Sequence, residues 1–367
     1  SPQYVFLFLP IMVIGYYILN RLRLVLGAKV WLVLGSLFFY GYWNPSYLFL
    51  IISSILVNYA IGTTLLNTAP AKRGDEEPKA GKLSRHALLI AGVWFNLALL
   101  GYFKYADFFI ENVNWLLGTH FPALHIVLPL AISFFTFQQI AYVADCHKGR
   151  RGKVKHNDFL NYCLFVTFFP QLIAGPIVHH SEMMPQFANK RNAIVQWNNM
   201  SAGLFIFCIG LFKKIYIADQ IGVWVAAGFD TSQVLSFLDA WLSTISFSLQ
   251  LYFDFSAYSD MAIGAGLMFN VRLPNNFNSP LKARSPRDFW DRWHMTLTRW
   301  LRDYLFKWLK DSLTIPFNTN RRAPGRLYFN LFMTFLLAGL WHGAAWNFVA
   351  FGAVMGTGLV VHRCKHL

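Results

Sequence analysis

The stretch Leu48-Phe49-Leu50-Ile51-Ile52-Ser53-Ser54-Ile55-Leu56-Val57-Asn58-Tyr59-Ala60-Ile61-Gly62-Thr63-Thr64-Leu65-Leu66 carries no charged side chain. It matches the ~20 mostly apolar residues that a helix needs to cross the hydrocarbon core of a bilayer. Similar runs flank it on both sides: Tyr4–Leu19, Val30–Tyr42, Ala87–Phe103, Ile126–Val143, Leu160–Ile177, Ala202–Ile217, Leu235–Phe255, Met261–Phe269, Tyr328–Trp341 and Trp346–Val361. Val30–Tyr42 and Met261–Phe269 are short, so tilted, re-entrant or buried segments are expected among them. The reading is an all-α, polytopic transmembrane helical bundle of about nine to eleven membrane helices plus interfacial or re-entrant ones. A single integral membrane domain over residues 1–367 is expected, and no internal repeat of the transporter kind is visible.

Composition agrees. Hydrophobic residues make up 56% of the chain and charged residues 13%, whereas soluble domains carry about a quarter charged residues. The 36 Phe, 16 Tyr and 13 Trp suit lipid-facing surfaces and interfacial aromatic belts. The formal charge of +15 would suggest nucleic acid in a soluble protein. In a membrane protein it marks cytoplasmic loops beside anionic lipid, so no nucleic-acid partner is expected. The basic loops are Thr68–His86, His147–His156 and the helix edge Lys213-Lys214. Cys146, Cys163, Cys208 and Cys364 have neither disulfide nor metal spacing; Cys163 and Cys208 read as small buried hydrophobes. The opening at Ser1-Pro2 without Met points to a chain trimmed at one or both ends. The first apolar run lacks a basic leader and cleavage site, so it reads as a retained helix.

Three polar clusters sit where lipid should disfavour them, which makes each a functional candidate. The first is Asp288-Phe289-Trp290-Asp291-Arg292-Trp293-His294-Met295-Thr296-Leu297-Thr298-Arg299-Trp300-Leu301-Arg302-Asp303-Tyr304. At helical spacing it forms one amphipathic helix, with Ser285-Pro286 as its start and Asp288 near the N-terminal dipole. His294 there is either a working group or part of an interfacial anchor. The second is Leu337-Ala338-Gly339-Leu340-Trp341-His342-Gly343-Ala344-Ala345-Trp346, a lone histidine between glycines that permit close backbone approach. His342 is either a proton-transfer group or a histidine bonded to a helix carbonyl. The third places Asp254 and Asp260 around Ser256 and Ser259 inside an apolar stretch. There the choice lies between orienting catalytic groups, binding a cation and capping two half-helices. No phosphate-binding glycine loop, zinc motif or nucleophile elbow is present, and no metal site is expected.

At these residues the sequence resembles the membrane-bound O-acyltransferase family, and most closely its bacterial polysaccharide O-acetylation branch, typified by the alginate O-acetyltransferase membrane subunit. The resemblance rests on ordered motifs along nearly the whole chain: Tyr102-Phe103-Lys104-Tyr105, Leu128–Phe134, Phe169-Pro170-Gln171-Leu172-Ile173-Ala174-Gly175-Pro176, Leu251–Gly264, Phe289-Trp290-Asp291-Arg292-Trp293-His294 and Gly339-Leu340-Trp341-His342-Gly343-Ala344. Asp291 departs from the pattern, because the resemblance implies a basic residue at that position.

The resemblance implies a bundle around a central tunnel in the bacterial cytoplasmic (inner) membrane. It implies His342 as the catalytic histidine and His294 as the second essential polar residue. It implies transfer of an acetyl group from acetyl-CoA, a substrate and not a resident cofactor, toward an extracytoplasmic polysaccharide. The transfer would be completed by a periplasmic or extracellular serine-esterase-like acetyltransferase partner. Alginate-like exopolysaccharide, cellulose and peptidoglycan are all compatible acceptors. Lys282, Arg284, Arg287 and Arg292 could hold the donor's phosphates, a task suited to arginine forks, or could serve as an interfacial anchor. The alternatives are a lipid O-acyltransferase and a non-catalytic transporter or flippase.

Overall fold

A computed structural model describes residues 1–68, 79–148, 158–231, 234–312 and 324–364. All regular structure among them is helical. In chain order the helices are α1 (Leu9–Arg21, continuous with a π-helical Tyr4–Phe8), α2 (Val25–Gly41), α3 (Ser46–Asn67), α4 (Lys79–Leu100), α5 (Ala106–Leu117), α6 (Ile132–His147), α7 (Phe159–Thr167), α8 (Phe169–Leu172), α9 (His180–Ala188), α10 (Trp197–Phe212), α11 (Asp219–Ala226), α12 (Phe237–Met268), α13 (Pro286–Trp290), α14 (Met295–Trp300), α15 (Lys307–Ser312), α16 (Pro324–His342) and α17 (Trp346–Cys364). Among the described residues, four continuous helical stretches are long and apolar enough to cross a membrane: Tyr4–Arg21, Ser46–Asn67, Ser84–Leu117 and Trp197–Thr231; α2 is a shorter apolar helix. Large apolar side chains such as Phe49, Trp115, Trp197 and Phe237 lie exposed. That arrangement is unfavourable in water and natural in lipid. Residues 69–78 and 149–157, the greater part of the basic loops read at Thr68–His86 and His147–His156, lie outside the described residues.

Two compact units divide the chain within α3. One comprises residues 1–55 and 151–276, the other 56–150 and 277–367. In the first unit α10 and α12 pack at glycine contacts. A Cβ on Gly203 would lie 2.6 Å from the Gly264 carbonyl oxygen, and one on Gly210 would lie 2.8 Å from that of Ala257. Small residues at such crossings let two helix backbones approach in an apolar medium.

The same pair of helices explains the third polar cluster. α12 runs unbroken through Asp254–Asp260, so those residues do not cap two half-helices. Instead the π-helical Lys213–Ala218 turns two lysines toward α12. Lys213 Nζ pairs with Asp260 at 2.6 Å, and Lys214 Nζ reaches Asp254 at 2.6 Å and Asp219 at 2.8 Å. Opposite charges at contact distance let carboxylates remain in a helix that would otherwise be costly to insert. Cys163 is buried as expected, whereas Cys208 on α10 faces outward.

The second unit contains both Trp-His steps. Its α3–α4 crossing is fixed by a buried amide pair, in which Asn96 Nδ2 donates to Asn58 Oδ1 at 2.6 Å. Gly62 on α3 leaves the space occupied by the Tyr142 ring of α6.

Candidate active site

His342 is the last residue of α16, so its side chain projects from a helix end. The sequence forces α16 and α17 close together just before that end. A Cβ on Gly339 would collide with the Phe348 carbonyl and lie 2.6 Å from Gly352 Cα; one on Gly352 would lie 2.6 Å from the Phe335 carbonyl oxygen. Glycine at both positions is therefore a steric requirement of the crossing. The approach places His342 edge-on to Phe351 of α17, with ring centroids 5.9 Å apart.

The neighbouring Trp341 anchors the step from the other side. Its buried ring stacks on Phe137 of α6 at 5.1 Å, and Phe137 stacks in turn on Trp300 of α14 at 3.9 Å. Trp300 Nε1 also donates to the Phe137 carbonyl at 3.0 Å. This aromatic column ties α6, α14 and α16 together. Aromatic pairs of this kind contribute about 0.5–1.5 kcal/mol each beyond burial. Trp341 is held and His342 is left exposed.

His294 occupies a different environment. The expected continuous helix from Asp288 to Tyr304 is broken: α13 ends at Trp290 and α14 begins at Met295, with His294 between them at φ +43°. The predicted start is correct, because Ser285 Oγ accepts the Asp288 N–H at 3.1 Å and Pro286 occupies the first turn. The chain then leaves helical geometry at the histidine. Histidine is among the few non-glycine residues enriched in the left-handed region. Trp293 packs on Phe289 and Phe277 at 5.6 and 5.1 Å, and Arg292 O accepts from Asn278 N at 2.9 Å, so tertiary contacts hold the bend.

His294 is only 2% exposed. It lies outside the long helices, and burial pushes its imidazole down to about 3, with His342 pushing the same way. Burial therefore disfavours the charged imidazole, and His342 adds to that effect.

Next to His342 lies a narrow recess lined by Trp290, Leu297, Thr298, Leu301, Phe335, Ala338, Gly339, Phe351, Gly352 and Met355. A larger cavity of about 350 Å³ shares Trp290, Thr298, Leu301 and Phe335 with it. This cavity continues along the α16 face through Leu331 and Leu327 and adds Leu359 of α17 as an apolar wall. Arg287, Arg302, His362 and Arg363 supply basic groups, with Asp291 the one acid among the lining residues. From Leu327 to His342 the α16 face is about 22 Å long at 1.5 Å per residue.

Of the four residues read as phosphate ligands, Arg287 lines this cavity and Lys282, Arg284 and Arg292 do not. Arg292 is engaged locally: its Nε pairs with Asp288 at 2.7 Å and its Nη1 donates to the Asn278 carbonyl at 3.3 Å. That guanidinium, joined by the Arg284 N–H, holds the Asp288 carboxyl below the usual carboxylate range. Lys282 and Arg284 are exposed. Arg302 and Arg363 were missed in sequence because nothing local couples residue 302 to the chain's last helix.

A family model described as MBOAT, membrane-bound O-acyltransferase family, matches residues 96–364, which include both histidines and the cavity. A "Peptidoglycan O-acetyltransferase" of Helicobacter pylori is 47% identical over 99% of this chain and 70% of its own length. A "Probable alginate O-acetylase AlgI" of Pseudomonas putida is 37% identical over 100% of this chain and 71% of its own. A "Teichoic acid D-alanyltransferase" of Bacillus subtilis is 28% identical over 64% of this chain and 58% of its own. With its helical architecture and paired histidines in view, the chain belongs to the membrane-bound O-acyltransferase family.

Proposed function

We propose that this enzyme is a membrane O-acetyltransferase that takes an acetyl group from cytoplasmic acetyl-CoA and passes it to an extracytoplasmic polysaccharide. The observation that carries the reading is an exposed histidine at a helix end, on a recess that shares its wall with a larger, basic cavity. His342 acts as general base. It takes the proton from an acceptor or relay hydroxyl as that oxygen bonds to the acetyl carbon. The carbon–sulfur bond then breaks, and the proton passes to the departing thiolate. Proton transfer by a positioned side chain contributes typically about 10²–10⁴-fold. His294, neutral and buried, orients the donor or gives an N–H to the developing oxyanion.

Arg287, Arg302 and Arg363 would hold the donor's phosphates, with the pantetheine arm along the apolar wall. Lys282, Arg284 and Arg292 then form the interfacial anchor. Cavity and recess together follow α16 from Leu327 to His342, about 22 Å at 1.5 Å per residue, a length that suits an extended thioester arm more than a compact transported solute. The relative named for peptidoglycan favours that polymer among the three acceptors, since its identity exceeds that of the relatives named for alginate. A periplasmic or extracellular serine-esterase-like partner completes the transfer. The bundle crosses the inner membrane about nine to eleven times around a tunnel.

Purified protein in lipid nanodiscs, given radiolabelled acetyl-CoA, tests this directly. Thioester cleavage that disappears in His342→Ala is expected; label moved across the bilayer with the thioester intact would replace the transferase reading with transport.

A further inference from the structure

Between α4 and α5 the helix widens into a π-turn, Gly101–Tyr105. Such single-turn insertions re-aim side chains and recur at functional sites. Here two consecutive side chains reach consecutive carbonyls at the end of α16. Lys104 Nζ donates to the Trp341 carbonyl oxygen, and Tyr105 OH donates to the Leu340 carbonyl oxygen at 2.8 Å. The widened turn carries both side chains to the same helix end.

Those two carbonyls belong to the last turn of α16, which has no further helical residues to bond them. The lysine charge also stands at the negative end of the helix dipole. Lys104 has no carboxylate partner within 4.0 Å among the described residues. Its other contacts are Ser133 Oγ at 3.4 Å and the rings of Trp341 and Tyr105, whose centroids lie 5.5 and 5.8 Å away. A half-buried ammonium without a counter-ion is unfavourable unless dipoles satisfy it. Here the helix end, a hydroxyl and an indole face do so together.

Apart from Ser133 on α6, the polar partners of both side chains are the residue before His342 and the turn that carries it. We propose that Lys104 and Tyr105 are positioning residues for His342: they cap the final turn of α16 and fix the direction from which the imidazole enters the recess. The proposal rests on the reading of His342 as the catalytic base. Neither side chain lines the recess or the larger cavity, so neither is assigned a contact with substrate.

The experiment compares His342→Ala, Lys104→Met and Tyr105→Phe in the full chain in nanodiscs, with acetyl-CoA as donor, measuring kcat, KM and melting temperature. Lys104→Met is expected to lower kcat about 10²-fold, the scale of a catalytic group displaced by about 1 Å. KM for acetyl-CoA and the melting temperature should stay near wild type, a split that a merely structural role would not give. Tyr105→Phe should lower kcat about fivefold through the loss of one hydrogen bond. Wild-type kcat in Lys104→Met beside an inactive His342→Ala overturns the positioning role alone. An active His342→Ala overturns the catalytic reading and this proposal with it. Should Lys104→Met fail to fold, Tyr105→Phe decides by the same kcat-against-KM criterion.

Discussion

The two Trp-His steps share a dipeptide and differ in almost everything the backbone does with it. Trp341-His342 closes a regular helix; its tryptophan is stacked into an aromatic column and its histidine is exposed beside a recess. Trp293-His294 breaks a helix; its histidine bears a positive φ and is sealed from solvent. A histidine that takes and returns protons must be reachable by its partner, and of the two His342 is the accessible one. A neutral buried imidazole is suited to a fixed hydrogen bond or an oriented dipole instead. The difference teaches that residue identity nominates a site, while helix termination and access assign the role.

The strongest break of this contrast is His342→Ala, which should remove about 10²–10⁴-fold of acetyl-transfer rate with folding intact, measured as thioester cleavage. Next comes Gly339→Leu, which drives a side chain into the α17 backbone. It should displace His342 and lose about 10²-fold in kcat, read by the same assay. His294→Val places a β-branched residue at positive φ and should cost about 1–3 kcal/mol in thermal unfolding. His294→Asn tolerates that backbone and should unfold near wild type. Arg287→Ala or Arg302→Ala should raise KM for acetyl-CoA about tenfold with kcat unchanged, the loss of one charge-assisted hydrogen bond. Lys282→Ala, off the cavity, should leave both constants within about twofold; a tenfold KM change there would move the donor site away from the α16–α17 wall.

The helical class was legible because apolar runs as long as Leu48–Leu66 have few other uses. So was the start of α13, where Ser285, Pro286 and Asp288 carry local capping chemistry. The break at His294 was not legible. No glycine or proline marks it, and distant packing of Trp293 against Phe277 maintains it. The reverse error occurred at Asp254–Asp260, where polar residues suggested an interruption. Lys213 and Lys214, forty or more residues away in sequence, pair with the carboxylates within an unbroken α12. The basic lining of the cavity gathers Arg287, Arg302 and Arg363 from three helical stretches, and only Arg287 had been read from sequence as a phosphate ligand. Lys104 stood in a recognised motif, but its role depends on a π-turn and a helix end more than two hundred residues downstream.

The unequal roles of the two histidines are tested most directly by single-turnover cleavage of radiolabelled acetyl-CoA in nanodiscs by wild type, His342→Ala and His294→Ala side by side. The account predicts His342→Ala slowed about 10²–10⁴-fold, and His294→Ala strongly slowed yet faster than His342→Ala. Cleavage by His342→Ala at or above the rate of His294→Ala would contradict it.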